Sequence, residues 1–240
     1  MFLKRMFHKG KFPELQGANR DIALERLKEY DIQFLIDDSG SMIGPRWAEA
    51  RDALIGLCKE ALQHDTNGVE IYFLNASPAK STFRSPDEIT QLFDTVQPSA
   101  TAPTFTGDRV EHILSAYMDR LEDARGFDQP TSIKPLNLII ITDGEPSDDP
   151  EDVIVAAARR LKAGNFEPTQ VGIQFIQIGD DAKAKKALKK LDKDLKKKHD
   201  VWDIVDTRPY TGQKLTPERL LVMLLGGINR GVDKLKIRGI

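Results

Sequence analysis

Ile32-Gln33-Phe34-Leu35-Ile36-Asp37-Asp38-Ser39-Gly40-Ser41-Met42 decides the fold of this 240-residue chain. An apolar run of strand length stops at an acidic, hydroxyl-rich turn containing Gly40, and a helical pattern opens a few residues later. In an open α/β sheet, ligands sit outside the carboxyl ends of the strands, so a site is expected at this turn. Asp37, Ser39 and Ser41 gather one carboxylate and two hydroxyls on a single loop. These are hard oxygen donors, suited to Mg²⁺, Mn²⁺ or Ca²⁺ rather than to zinc or copper.

Outward from this stretch, strand and helix patterns alternate. Gly44-Pro45 opens a helix whose apolar positions Trp47, Ala50, Leu54, Leu57 and Ala61 recur at helical spacing. Asn67-Gly68 marks a turn before a strand from Val69 to Leu74, and Ser81–Arg84 reads as a short edge strand. A short helix over 86–94 and a Pro/Ser/Thr-rich loop over 96–107 follow. The next helix carries Val110, Ile113, Leu114, Tyr117 and Leu121 on one face. Residues 136–142 form the most continuous apolar strand, and Asp149-Pro150 is a helix cap and first turn. Val171–Ile178 and Val201–Val205 complete the strands, separated by a lysine-rich helix over 182–198. Thr216-Pro217 starts a terminal helix with Leu220, Leu221, Leu224, Leu225 and Ile228 inward. The expected class is α/β: a doubly wound, mainly parallel six-stranded sheet with one antiparallel edge strand and helices on both faces. Residues 1–18 read as a flexible basic arm, 19–235 as a single domain and 236–240 as a tail.

Composition excludes several classes. A net charge of −2 gives no global bias toward nucleic acid or membrane. No apolar run approaches the roughly 18 residues of a membrane span. The single cysteine, Cys58, rules out an intrachain disulfide and, with no secretory leader pattern, points to the cytoplasm. Nine lysines between Lys183 and Lys198 have no interleaved arginine or aromatic residue, so a solvated helix face is preferred there over nucleic-acid binding. The four histidines are scattered, and neither a nucleophile elbow nor a phosphate-binding glycine loop occurs.

A second acidic strand end, Ile139-Ile140-Ile141-Thr142-Asp143-Gly144, repeats the logic of the first. Together with Phe34–Met42, Ile71–Asn75 and Gly172–Gly179, it makes the chain resemble a von Willebrand factor A (vWA) domain over roughly residues 30 to 230. It is similar to the stand-alone intracellular members. The resemblance implies a metal-ion-dependent adhesion site of the pattern DxSxS…T…D. Asp37, Ser39, Ser41 and Asp143 match it, with Thr104 of Thr104-Phe105-Thr106-Gly107 as the threonine and Thr106 as the alternative. Phe105 stands where proline is usual. The resemblance further implies a partner protein whose Asp or Glu completes the coordination of the cation, Mg²⁺ or else Mn²⁺ or Ca²⁺, and a mobile terminal helix, here Thr216–Asn229 with Gly226-Gly227.

Each residue also has a plainer role. Asp37 and Ser39 would serve as turn and cap residues, and Asp148, Asp149, Glu151 and Asp152 as a solvated helix start or, less readily, a second cation site. The Gly226-Gly227 pair would equally serve close packing. The favoured function is a non-enzymatic, metal-dependent protein-binding module. The alternatives are a metal-dependent hydrolase or phosphatase and a structural module with a vestigial site. The partner's identity and the oligomeric state are not legible.

Overall fold

The computed structural model describes residues 25, 27–61, 68–77, 82–126 and 133–224, along which strands and helices alternate. In chain order they are β1 (Asp31–Ile36), α1 (Pro45–Ala61), β2 (Val69–Phe73), β3 (Thr82–Phe83), α2 (Pro86–Thr95), α3 (Thr106–Gly126), β4 (Leu136–Thr142), α4 (Pro150–Ala163), β5 (Val171–Gln177), α5 (Ala182–His199) and β6 (Val205–Arg208). One 3-10 turn, Gly40–Met42, precedes α1, and the last of the described residues, 217–224, are helical and are labelled α6.

The six strands lie in the order β3-β2-β1-β4-β5-β6, all parallel except β3, which pairs antiparallel with β2 at the edge. The chain winds outward from β1 to β2 and β3, then returns to place β4 on the other side of β1. Winding therefore reverses between β1 and β4, and the loops leaving their carboxyl ends diverge around a crevice. The sheet topology alone puts the Asp37 and Asp143 loops side by side.

Alternation along each strand supplies both cores. Phe34 and Ile36 of β1 and Ile139 and Ile141 of β4 face α1, α2 and α6, while Leu35, Leu138 and Ile140 face α3, α4 and α5. Burying each of these side chains contributes about 1.5–3 kcal/mol, which makes β1 and β4 the anchor of both layers. Trp47, Phe73 and Phe93 pack as tilted and edge-on rings with centroids 4.7–5.8 Å apart, joining α1 and α2 to β2. The apolar stripes expected for α1 and α3 are buried at every described position. In α6, Leu220, Leu221 and Leu224 are buried, whereas Leu225, Ile228 and the Gly226-Gly227 pair lie outside the described residues, as does the basic arm over 1–18.

The last strand corrects the sequence expectation. Residues 201–203 lie outside the sheet; the Ile204 carbonyl accepts the Ile173 N–H at 2.8 Å, and β6 starts at Val205 and pairs with β5 from Ile173↔Val205 onward. Val201 and Ile204 instead fill the core beneath α5 after the chain leaves that helix at Asp200, whose φ is 49°. The strand proper, Val-Asp-Thr-Arg, is polar because it is an edge strand. Arg208 and Asp206 pair along it at 2.8 Å.

Candidate metal centre

β1 ends with the Asp37 N–H bonded to the Ile141 carbonyl of β4 at 2.9 Å, so the first acidic residue leaves the sheet against the second strand end. The Asp37 carboxylate is fully buried. Its Oδ1 accepts the Ser39 N–H at 2.9 Å and its Oδ2 accepts the Thr142 hydroxyl at 2.6 Å. Burial pushes its pKa up, and these hydrogen bonds oppose that shift. Each carboxylate oxygen has a second lone pair, so Asp37 keeps acceptor capacity. Gly40 is required by close approach: a Cβ there would stand 2.7 Å from the Ala100 Cα. That contact and the Ser39–Ser99 bridge press the 97–105 loop against the Asp37 loop.

A run of oxygens crosses from one strand end to the other. Ser39 Oγ lies 3.1 Å from Ser41 Oγ, and the Ser41 hydroxyl donates to Asp143 Oδ1 at 2.7 Å. Ser41 is exposed while Asp37, Ser39 and Asp143 are buried, so the centre opens to solvent on the Ser41 side. Thr104 comes close as well, since a Cβ on Gly144 would lie 3.8 Å from its Oγ1. Its backbone is tied to Ser147 through Ser147 N–H to Thr104 O at 2.9 Å and Thr104 N–H to Ser147 Oγ at 3.2 Å. Thr106, the alternative threonine, is fully buried, and its Oγ1 has no hydrogen-bond partner among the described residues.

This donor set suits a hard divalent ion: two carboxylates, two serine hydroxyls and a nearby threonine hydroxyl, on loops from separate strands. Among the described residues no group of three or more His, Cys, Asp or Glu side chains is placed to hold a metal.

Three residues that the sequence pattern did not single out complete the arrangement. The Asp38 carboxylate accepts Asn75 N–H at 2.9 Å, Asn75 Nδ2 at 2.8 Å and Ala76 N–H at 2.9 Å, fastening the β2 loop to the β1 loop. Thr142 orients Asp37 as described. Arg46, in the first turn of α1, donates Nη1 to Asp143 Oδ2 and to the Ser41 carbonyl, the latter at 3.2 Å. The doubled acid of Asp37-Asp38 and the Thr142-Asp143-Gly144 triplet were the available signals for the first two. Arg46 had none.

The other acidic residues are occupied differently. Asp148 accepts the Gly107 and Asp108 N–H groups at the start of α3, both at 2.9 Å, and Asp149 accepts the Glu151 N–H as the cap of α4. Glu151 takes Lys198 at 3.1 Å and His199 at 3.0 Å, and the His199 hydrogen bond holds its carboxyl below the ordinary range. Asp149 is the helix cap expected of it, whereas Asp148 caps α3 instead and Glu151 is buried and ion-paired rather than solvated. A cleft of ≈ 870 Å³ separates Glu145, Asp149 and Glu151 from Lys183, Lys186 and Lys190 of α5, and its opposite charges balance. The described lysines Lys183, Lys185, Lys186, Lys189 and Lys190 are exposed, as a solvated face requires. Among the described residues no helix is long and apolar enough to cross a membrane.

Comparison with the curated proteins gives no match. Among solved structures, the chain is similar to an aerotolerance-related membrane protein from Bacteroides fragilis NCTC 9343 carrying multiple mutations to serines. The TM-score is 0.44 at 13% identity, over 85% of this chain and 98% of that one. The model of the von Willebrand factor type A domain matches residues 31–202, which include both acidic strand ends and every strand from β1 to β5. The chain therefore belongs to the von Willebrand factor type A domain family.

Proposed function

We propose that this chain is a non-enzymatic protein-binding module whose contact with its partner runs through a divalent cation, Mg²⁺ or in its place Mn²⁺ or Ca²⁺. Asp37, Ser39, Ser41, Thr104 and Asp143 are the residues that would hold it. The observation that carries this reading is the continuous oxygen run Ser39–Ser41–Asp143 beside buried Asp37, at the crevice between β1 and β4. A bound cation supplies a coordination position for an incoming carboxylate, and an acidic residue of the partner fits it by charge. The surroundings support a protein rather than a small anion. Ile43 (52% exposed) and Phe105 (46%) are the exposed large apolar side chains of the described residues, and each sits on a loop of this centre. Apolar contacts beside a polar anchor are the usual anatomy of a binding hot spot.

Capture of partner from cell extract, with and without EDTA, tests the proposal. A partner retained by the parent chain and released by chelator is expected. Asp37→Ala should lose that partner with chelator-like severity. Ile43→Ser with Phe105→Ser should weaken capture while leaving Mg²⁺ affinity, measured by calorimetry, unchanged. Capture indifferent to both EDTA and Asp37→Ala counts against the proposal.

A further inference from the structure

Asp143 is wholly buried, and a buried carboxylate is tolerated only with a compensating charge or a full set of donors. Ser41 supplies one donor on Oδ1. The compensating charge comes from the Arg46 guanidinium, paired with Oδ2 and bonded also to the Ser41 carbonyl. Arg46 thus touches two of the residues that line the oxygen run, from the side that faces solvent: its side chain is 35% exposed.

The fold makes a seat for this guanidinium. Gly179, in the turn after β5, has φ +73°, and a Cβ there would lie 2.7 Å from Arg46 Nε and 3.0 Å from Cζ. Glycine at 179 leaves the space in which the arginine head rests against Asp143. Two separate strand-end loops, those after β4 and β5, thus approach the head of one arginine supplied by α1.

We infer that Arg46 is the resident counter-cation of the centre and competes with the divalent ion for Asp143. The inference rests on the metal-binding reading above. A divalent cation and a guanidinium on the same carboxylate repel one another, so loading requires Arg46 to leave Oδ2. Its partial exposure and its place in the first turn of α1 let the side chain swing into solvent without moving the helix. Arg46 therefore lowers the affinity of the centre for metal while keeping the metal-free loops assembled. An arginine that only positioned Asp143 as a ligand would have the opposite effect on affinity.

The experiment is calorimetric titration of the full chain with MgCl₂ alone, for the parent, Arg46→Gln, Arg46→Lys and Asp37→Ala, with a melting curve of each metal-free protein. Arg46→Gln is expected to bind Mg²⁺ roughly tenfold more tightly than the parent and to melt lower without metal, with the larger recovery on adding MgCl₂. Arg46→Lys, which keeps the charge but loses the planar fork, is expected to fall between them. If Arg46→Gln does not fold, tightened binding by Arg46→Lys supports the inference and unchanged or weakened binding overturns it. Unchanged or weaker binding by Arg46→Gln, with Asp37→Ala inactive in binding, overturns the role of Arg46 and leaves the metal reading standing. Binding by Asp37→Ala equal to the parent's overturns both.

Discussion

Two clusters of acidic side chains stand at the same end of the sheet, and the difference lies in what satisfies their oxygens. Asp148, Asp149 and Glu151 are engaged by groups that any helix start or lysine-rich neighbour provides: the N–H groups of α3 and α4, Lys198 and His199. Asp37 and Asp143 meet hydroxyls, from Thr142 and Ser41, one backbone N–H, from Ser39, and one partly exposed arginine. Hydroxyls are neutral and rotate, so they accept a cation in exchange for their present partners, whereas a helix N-terminus repels one. The carboxylate count is similar in both places. On the proposed reading, the company kept by the carboxylates separates a metal site from a cap.

The largest expected effect is on metal binding. Asp37→Ala or Asp143→Ala should weaken Mg²⁺ binding by about a hundredfold or more, because each removes one of only two charges opposite a hard divalent ion. Asp149→Ala should leave the dissociation constant within about twofold. Calorimetry distinguishes the two clusters directly, and equal losses from Asp149→Ala and Asp37→Ala would erase the contrast.

Stability should rank the clusters the other way. Asp149→Ala deprives α4 of its cap at a cost of about 1 kcal/mol, and Asp148→Ala, which bonds two N–H groups of α3, about 1–2 kcal/mol. Asp37→Asn removes the burden of a buried charge and should make the metal-free chain no less stable than the parent, the usual trade at a functional site. Urea denaturation without metal checks both. Lower stability of Asp37→Asn than of Asp149→Ala would mean that Asp37 is structural first.

The smallest effect is a pH dependence. The Glu151 carboxyl is held below its ordinary value of 4.5, with the His199 hydrogen bond the main cause. A depressed carboxylate stabilises the fold above its unfolded value and loses that contribution as pH falls through the folded one. Glu151→Gln should therefore lower stability at pH 6–7 by under about 1 kcal/mol, since Lys198 and Lys190 are half-exposed, and the gap should close as pH falls below 4.5. A gap that persists into acid would assign the loss to packing.

Local chemistry made the strand ends legible. The runs into Asp37 and Asp143 are long, apolar and cut off by turn residues, and the Asp37-x-Ser39-x-Ser41 spacing keeps three donors on one loop in any fold. Cap residues such as Asp149 were equally readable, because a cap acts on the next few residues. β6 was misplaced because an edge strand has no need of a continuous apolar run, while the apolar Val201 and Ile204 beside it serve a helix contact.

What the sequence by itself determined is the set of elements, the class of fold and the donors on each loop, since these follow from neighbours along the chain. Only the tertiary structure decided that Ser41 reaches Asp143, that Thr142 holds Asp37 and that Arg46 sits on Asp143 in the space left by Gly179. Those contacts join residues 102, 105 and 97 positions apart, and the reversal of winding between β1 and β4 creates them. Hydrogen bonds act over about 3 Å, so their partners are fixed by where the backbone returns in space and carry no signature at a fixed spacing in sequence.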